Sequence, residues 1–241
     1  MNTHPESQNN PSCDLCRRED KACRSPEGNG PAFCPTVNEA ALIAEVRSAY
    51  KDPEISHFAQ QASIQEAEGY GKKGKDGTVR YPVKSRIQEI CEFATKMNYK
   101  KLGVAFCVGL HAEAKLACDV FRAQGFEVVS VVCKVGGLPK EMLGLEEAQK
   151  IMPNQYESMC NPILQAKVLN HAKTEFNVLV GLCVGHDSLF FKYADAMTTV
   201  LVAKDRLLGH NPVAALYTSG SYYAGLKHKD CYDKMNSQIG Q

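Results

Sequence analysis

The sequence predicts an α/β fold, a Rossmann-like three-layer sandwich on a parallel sheet of at least four strands. Three observations carry this. From residue 83 onward, helical stretches alternate with short apolar runs: LGVAFC (102–107), FEVVSVVC (126–133), FNVLVGLC (176–183) and MTTVLVAKD (197–205). The runs are nearly continuous in apolar and β-branched residues, as strands covered on both faces are. Three of them close on a cysteine with a glycine shortly behind, in AFCVGL, VVCKVGG and GLCVGH.

The chain has 241 residues, 44% of them hydrophobic, enough for one large domain with an appendage. A formal net charge of +1 gives no global pull toward nucleic acid or an anionic membrane. No apolar run reaches the roughly 18 residues of a spanning helix. The polar start MNTHPESQNNPS has no signal-peptide centre, so a cytoplasmic protein is expected. Eleven cysteines, an odd number, in a long chain without a signal point to metal or catalysis rather than disulfides.

Along the chain, residues 1–35 form a cysteine-rich metal-binding segment of loop composition. Residues 36–82 are a helical linker region, 83–225 the α/β domain and 226–241 a C-terminal arm. Thr36-Val-Asn-Glu39 matches a capping box and predicts a helix over 37–51. Pro53 opens another, to about 68. GYGKKGKDGTVRYP (69–82) lacks the phosphate-loop order and reads as a solvated connection. Helices are expected over 83–98, 110–124 with Gly125 as its cap, 161–173 and 186–194, and another from Asn211-Pro212. Cys91 and Cys118 fall on apolar helix faces and read as core. The final stretch, with Cys231, reads as an arm.

Open parallel sheets bind ligands beyond the carboxyl ends of their strands, where strand order reverses. Cys107, Cys133 and Cys183 stand at such ends. With strand order 2-1-3-4, Cys107 and Cys183 flank the switch point and Cys133 lies one strand away. Cys160 is the fourth candidate. In MCNPILQAKVLN, Asn161 suits the N-cap and Pro162 the first helical position, which sets the Cys160 thiol near the positive end of the helix. Such a position favours thiolate, the form that ligates metal or attacks as a nucleophile. His111, His186, Lys204 and His210 fall near the same edge and are candidates for positioning or protonating a substrate. A helix starting at Pro212 offers an anion site.

The second constellation is Cys13-x2-Cys16-x6-Cys23-x10-Cys34, set among residues that build no core. Four thiols in a short polar loop suggest a metal knot folded by its metal. Zinc fits the Cys-x2-Cys opening, and an iron–sulfur cluster fits equally, with Cys34-Pro35 as in ferredoxin ligand runs.

These segments resemble a family of uncharacterised metal-binding proteins, classed as a domain of unknown function, from archaea and anaerobic bacteria. CDLC with Cys23 and Cys34, AFCVGL, EVVSVVCKVGG, MCNPILQAKVLN, GLCVGHDSLFFKY and KDRLLGHNPVAALY carry the likeness. The resemblance implies metal binding in an iron–sulfur-rich setting and no established reaction. Together the residues and the resemblance predict an iron–sulfur cluster at the sheet edge, held by Cys107, Cys133, Cys160 and Cys183. Zinc or a second cluster would sit on Cys13, Cys16, Cys23 and Cys34. The expected partner is a small-molecule substrate or a redox protein, and a reductase, lyase or sulfur-transfer reaction are all compatible. A metal sensor or carrier is one alternative. A metal-free thiol enzyme with Cys183 as nucleophile and His186 as base is another.

Overall fold

In the computed structural model, residues 10–71 and 81–229 are described, so most of the Gly-rich connection and Cys231 fall outside the description. The chain divides into two units, Met1–Glu66 and Ala67–Gln241.

In the first unit, residues 10–34 bury a single side chain, Cys34. Backbone bonds hold this loop: Ala22 N–H to Asn29 O at 2.9 Å and Asn29 N–H to Asp20 O at 2.7 Å. Helix α1 (Pro35–Asn38) follows, with Cys34 as its N-cap and Pro35 in the first turn, then α2 (Ala40–Ala49) and α3 (Pro53–Glu68). The capping box expected at Thr36–Glu39 is not formed. Proline pre-set for a first helical turn starts the helix two residues earlier, and Glu39 becomes the junction between two helices.

The second unit holds the sheet. After α4 (Arg86–Lys96) come β1 (Lys101–Phe106), α5 (His111–Ala123), β2 (Glu127–Val132), α6 (Pro162–His171), β3 (Phe176–Val180), α7 (His186–Tyr193), β4 (Thr198–Val202) and α8 (Val213–Tyr217). The four strands are all parallel in the order β2-β1-β3-β4. The order therefore reverses between β1 and β3, as expected.

Side-chain parity shows how the sheet is covered. Phe106 lines a small cavity with Ala114, Cys118 and Arg122 of α5 and Ser130 of β2. Gly103 has the opposite parity, and a methyl there would strike Leu169 of α6 at 2.9 Å and the Asn177 amide of β3. Helices α5 and α6 thus cover opposite faces of β1, which gives three layers. Leu102, Val104, Phe121, Leu169, Val178 and Val180 are fully buried between them. Cys91 and Cys118 are core residues on α4 and α5, and burial raises both thiols. Among the described residues no helix is long and apolar enough to cross a membrane.

Between β2 and α6 lies a 29-residue excursion, residues 133–161, ordered by charge more than by apolar contact. The Lys150 side chain is 2% exposed and pairs with Glu141 and Glu147. Lys140 pairs with Glu157 at 2.5 Å, and Glu157 also accepts from the Ile151 N–H.

Candidate functional site

Each sheet-edge cysteine arrives on a different segment. Cys107 follows β1, and its N–H donates to Val180 O at 3.1 Å, carrying the β1–β3 ladder one step past the strand. Cys133 follows β2 in the same way, donating to Phe106 O at 2.8 Å. Cys160 precedes α6. Asn161 caps that helix by accepting from the Leu164 N–H at 3.0 Å, with Pro162 in the first turn, as the sequence predicts. Its own N–H donates to Cys133 O at 2.7 Å, which clamps the start of α6 to the end of β2. Cys183 lies between β3 and α7, and its carbonyl accepts from the N–H groups of His186 and Asp187. Gly185 makes that sharp entry with φ +84°, a conformation that favours glycine.

Three of the thiols form a hydrogen-bonded series, Cys107 to Cys133 to Cys160. Val108 N–H adds a donor to the Cys133 sulfur at 3.3 Å. Cys183 lies close enough to Cys107 and Cys160 to feel their charge. Basic groups meet the sulfurs from outside: Lys204 on Cys107, His186 on Cys160 and Arg206 Nη2 on Cys183 at 2.9 Å.

The four thiols are polarised differently. The hydrogen bond from Cys133, then that of His186, holds Cys160 down to about 4, against the opposing effect of burial. The same Cys133–Cys160 bond, with burial, pushes the Cys133 thiol up. Burial also works against Cys107, but the Gly109 N–H and Lys204 outweigh it and bring that thiol below its usual range. Burial raises Cys183, and Arg206 only partly opposes it.

Of the other residues singled out in the sequence, His186 is at the thiols, on Cys160 rather than on Cys183. Lys204 is there too. His111 is elsewhere: its ring packs against Phe106 at 5.8 Å and lines the cavity beside α5. His210 locks its own loop, with Nδ1 accepting from the Asp205 N–H at 3.1 Å and its N–H donating to Asp205 O at 2.8 Å. Helix α8 has only five residues. In the N-terminal loop Cys34 is buried, Cys16 half-buried, and Cys13 and Cys23 exposed. Among the described residues no group of three or more Cys, His, Asp or Glu side chains is already arranged to hold a metal ion.

Three contributors were missed by the sequence reading. Arg206 is two residues past Lys204, beyond the strand pattern that drew attention to its neighbour. Lys134 follows Cys133 directly; its charge acts on Cys160, and its ammonium donates to Ser158 O. Gln165 is fully buried on α6, and its Nε2 donates to Phe106 O at 3.2 Å and Val131 O at 2.8 Å. It braces the two strand ends that carry Cys107 and Cys133. A glutamine inside an otherwise apolar helix face was the available signal.

Comparison with known proteins agrees with the motif resemblance at the level of family. Residues 34–201 match the family described as "Protein of unknown function (DUF1847)", a stretch that takes in all four sheet-edge cysteines. An uncharacterized protein of Methanocaldococcus jannaschii, MJ0455, is 44% identical over 182 residues, 76% of this chain and 86% of that protein. Neither description names a metal or a reaction. No solved structure matches the chain. More than half of the sequence lies within the family match, and the chain belongs to the DUF1847 family.

Proposed function

We propose that this protein is a redox metalloprotein whose centre, an iron–sulfur cluster, is held by Cys107, Cys133, Cys160 and Cys183 at the switch point of the sheet. The observation that carries this reading is the convergence of four thiols from four chain segments, three of them met by a basic side chain. The donor set is sulfur throughout, which suits iron–sulfur clusters and other thiophilic metals. Bound there, a cluster would supply one-electron transfer.

The chain's own residues do the rest. Lys204, Arg206 and His186 offset the negative charge of assembled thiolates, and Lys134 adds to the field at Cys160. N–H donors to sulfur, such as Val108, stabilise charge on the ligand and help set the potential. Lys204 and His186 are engaged on sulfur and His210 on its own loop, which favours redox work over acid–base work on a substrate.

In the N-terminal loop, Cys13, Cys16, Cys23 and Cys34 would hold a second metal, zinc or a cluster. One buried side chain in residues 10–34 gives little hydrophobic driving force for order, and metal binding would supply it.

The test is iron, zinc and acid-labile sulfide per chain after anaerobic purification, with the visible spectrum, for wild type and Cys183→Ser. Loss of iron, sulfide and the visible bands in the variant, with zinc retained, supports the sheet-edge centre. Unchanged metal in Cys183→Ser, or a wild-type chain without iron, sinks it.

A further inference from the structure

We infer that Cys160 and Cys133 are a dithiol couple that carries out thiol–disulfide exchange with a small-molecule disulfide. The inference rests on the thiol site proposed above and adds an activity to it: when the pair closes, two of the four sulfur donors are withdrawn from metal.

Proximity is built into the backbone. The Asn161 N–H to Cys133 O bond at 2.7 Å joins the residue after Cys160 to Cys133 itself. Two further ties, Met159 N–H to Leu138 O at 2.7 Å and Lys134 to Ser158 O, hold together the segments that follow Cys133 and precede Cys160. The Asn161–Cys133 bond sets the backbones of Cys160 and Cys133 side by side, the arrangement from which a disulfide of roughly 2.0 Å can close.

Access assigns the roles. Cys133 is 2% exposed, whereas Cys160 is half-buried with His186 and Lys134 beside it. An incoming disulfide reaches Cys160 first. The Cys160 thiolate attacks one sulfur of RS–SR, forming a mixed disulfide and releasing RS⁻. Cys133 then gives its proton to solvent and attacks the Cys160 sulfur, expelling the second RS⁻. The Val108 N–H at the Cys133 sulfur meets the charge that develops there in this second step. Two protein thiols lose two electrons and two protons, and one RS–SR is reduced to two thiols. The remaining thiols are less suited. Cys107 is only 8% exposed, and Cys183 is in hydrogen-bond contact with Arg206.

The test treats the full-length reduced chain with oxidised glutathione, before and after a chelator, and maps the products by mass spectrometry. Wild type should yield a Cys133–Cys160 disulfide, Cys133→Ser should stop with glutathione on Cys160, and Cys160→Ser should give neither product. First attack at Cys107 or Cys183, or free thiols at both Cys133 and Cys160 after chelation, overturns the couple. The wild-type map stands without any variant. Exchange equally fast before and after chelation would count against the metal centre and leave the couple intact. Metal bound through these cysteines, with no exchange after its removal, would do the reverse.

Discussion

Arg206 donates from Nη2 to the Sγ of Cys183 at 2.9 Å, tying the loop beyond β4 to the turn beyond β3. The charge of Arg206 works against the burial that raises the Cys183 thiol. Arg206→Leu should leave Cys183 more fully protonated near neutral pH. Alkylation of Cys183 by iodoacetamide at fixed pH is expected to slow roughly threefold to tenfold, the equivalent of about 0.7–1.4 kcal/mol for one lost hydrogen bond. Site-resolved mass spectrometry reads the rate, with Cys118 as an internal control; an unchanged Cys183 rate contradicts the assignment.

The second prediction concerns pH. An ordinary thiol starts from 9.0 and loses alkylation rate about tenfold per unit below it, as thiolate disappears. Cys160 is held down to about 4, so its thiolate persists as pH falls from 9 and is lost only near 4. Its rate should stay nearly flat from pH 8 to pH 5, while that of Cys118, raised by burial, falls throughout. Parallel decline of the two sites would contradict the hydrogen-bonded series. Since lowering the pKa also stabilises the folded chain, the Cys160 contribution is full above 9 and fades as pH drops toward 4. Cys133, raised by the same bond, contributes in the opposite sense and loses its share as pH rises.

Gln165 braces the sheet edge from below. Gln165→Leu keeps the bulk, removes both amide donations and also removes a buried acceptor, Oε1, that has no protein partner. The expected net cost is about 1–2 kcal/mol, read as a lower denaturant midpoint with unchanged slope. Cys107 and Cys133 should also become more accessible to alkylation than that loss of stability explains. A purely structural role would leave their native-state rates unchanged.

Gly181 marks how tightly the switch point is packed. It has φ +63°, and a methyl there would meet Leu110 Cδ2 at 2.6 Å. Gly181→Ala should destabilise by about 1–3 kcal/mol, from strained backbone and a displaced leucine together. Thermal unfolding would show it as a lower midpoint.

Strand positions, strand order and the convergence of Cys107, Cys133 and Cys183 were legible because apolar runs and their endings state where along an element a residue stands. Asn161-Pro162 was equally plain, since a cap is local chemistry. The partner of each thiol was not legible. His186 lies three residues from Cys183 in sequence, yet its side chain hydrogen-bonds to Cys160, which precedes a different helix. The turn at Gly185, with its positive φ, sets the course of the chain there. Arg206 and Gln165 were invisible for a related reason: both act on atoms contributed by distant segments. The split of the expected 37–51 helix came from competition between two local signals, Pro35 and the capping box, which periodicity does not rank.

The pairing of β1 with β3 spans more than seventy residues, and β4, with Lys204 and Arg206 just beyond it, joins only after that. Loop closure over such a separation is slow compared with local helix formation. During synthesis the sheet-edge cysteines therefore leave the ribosome one after another as isolated, reactive thiols, well before their neighbours exist. The edge is complete only once β4 has joined, so a cluster of the kind proposed would be delivered to a domain whose last strand is already in place.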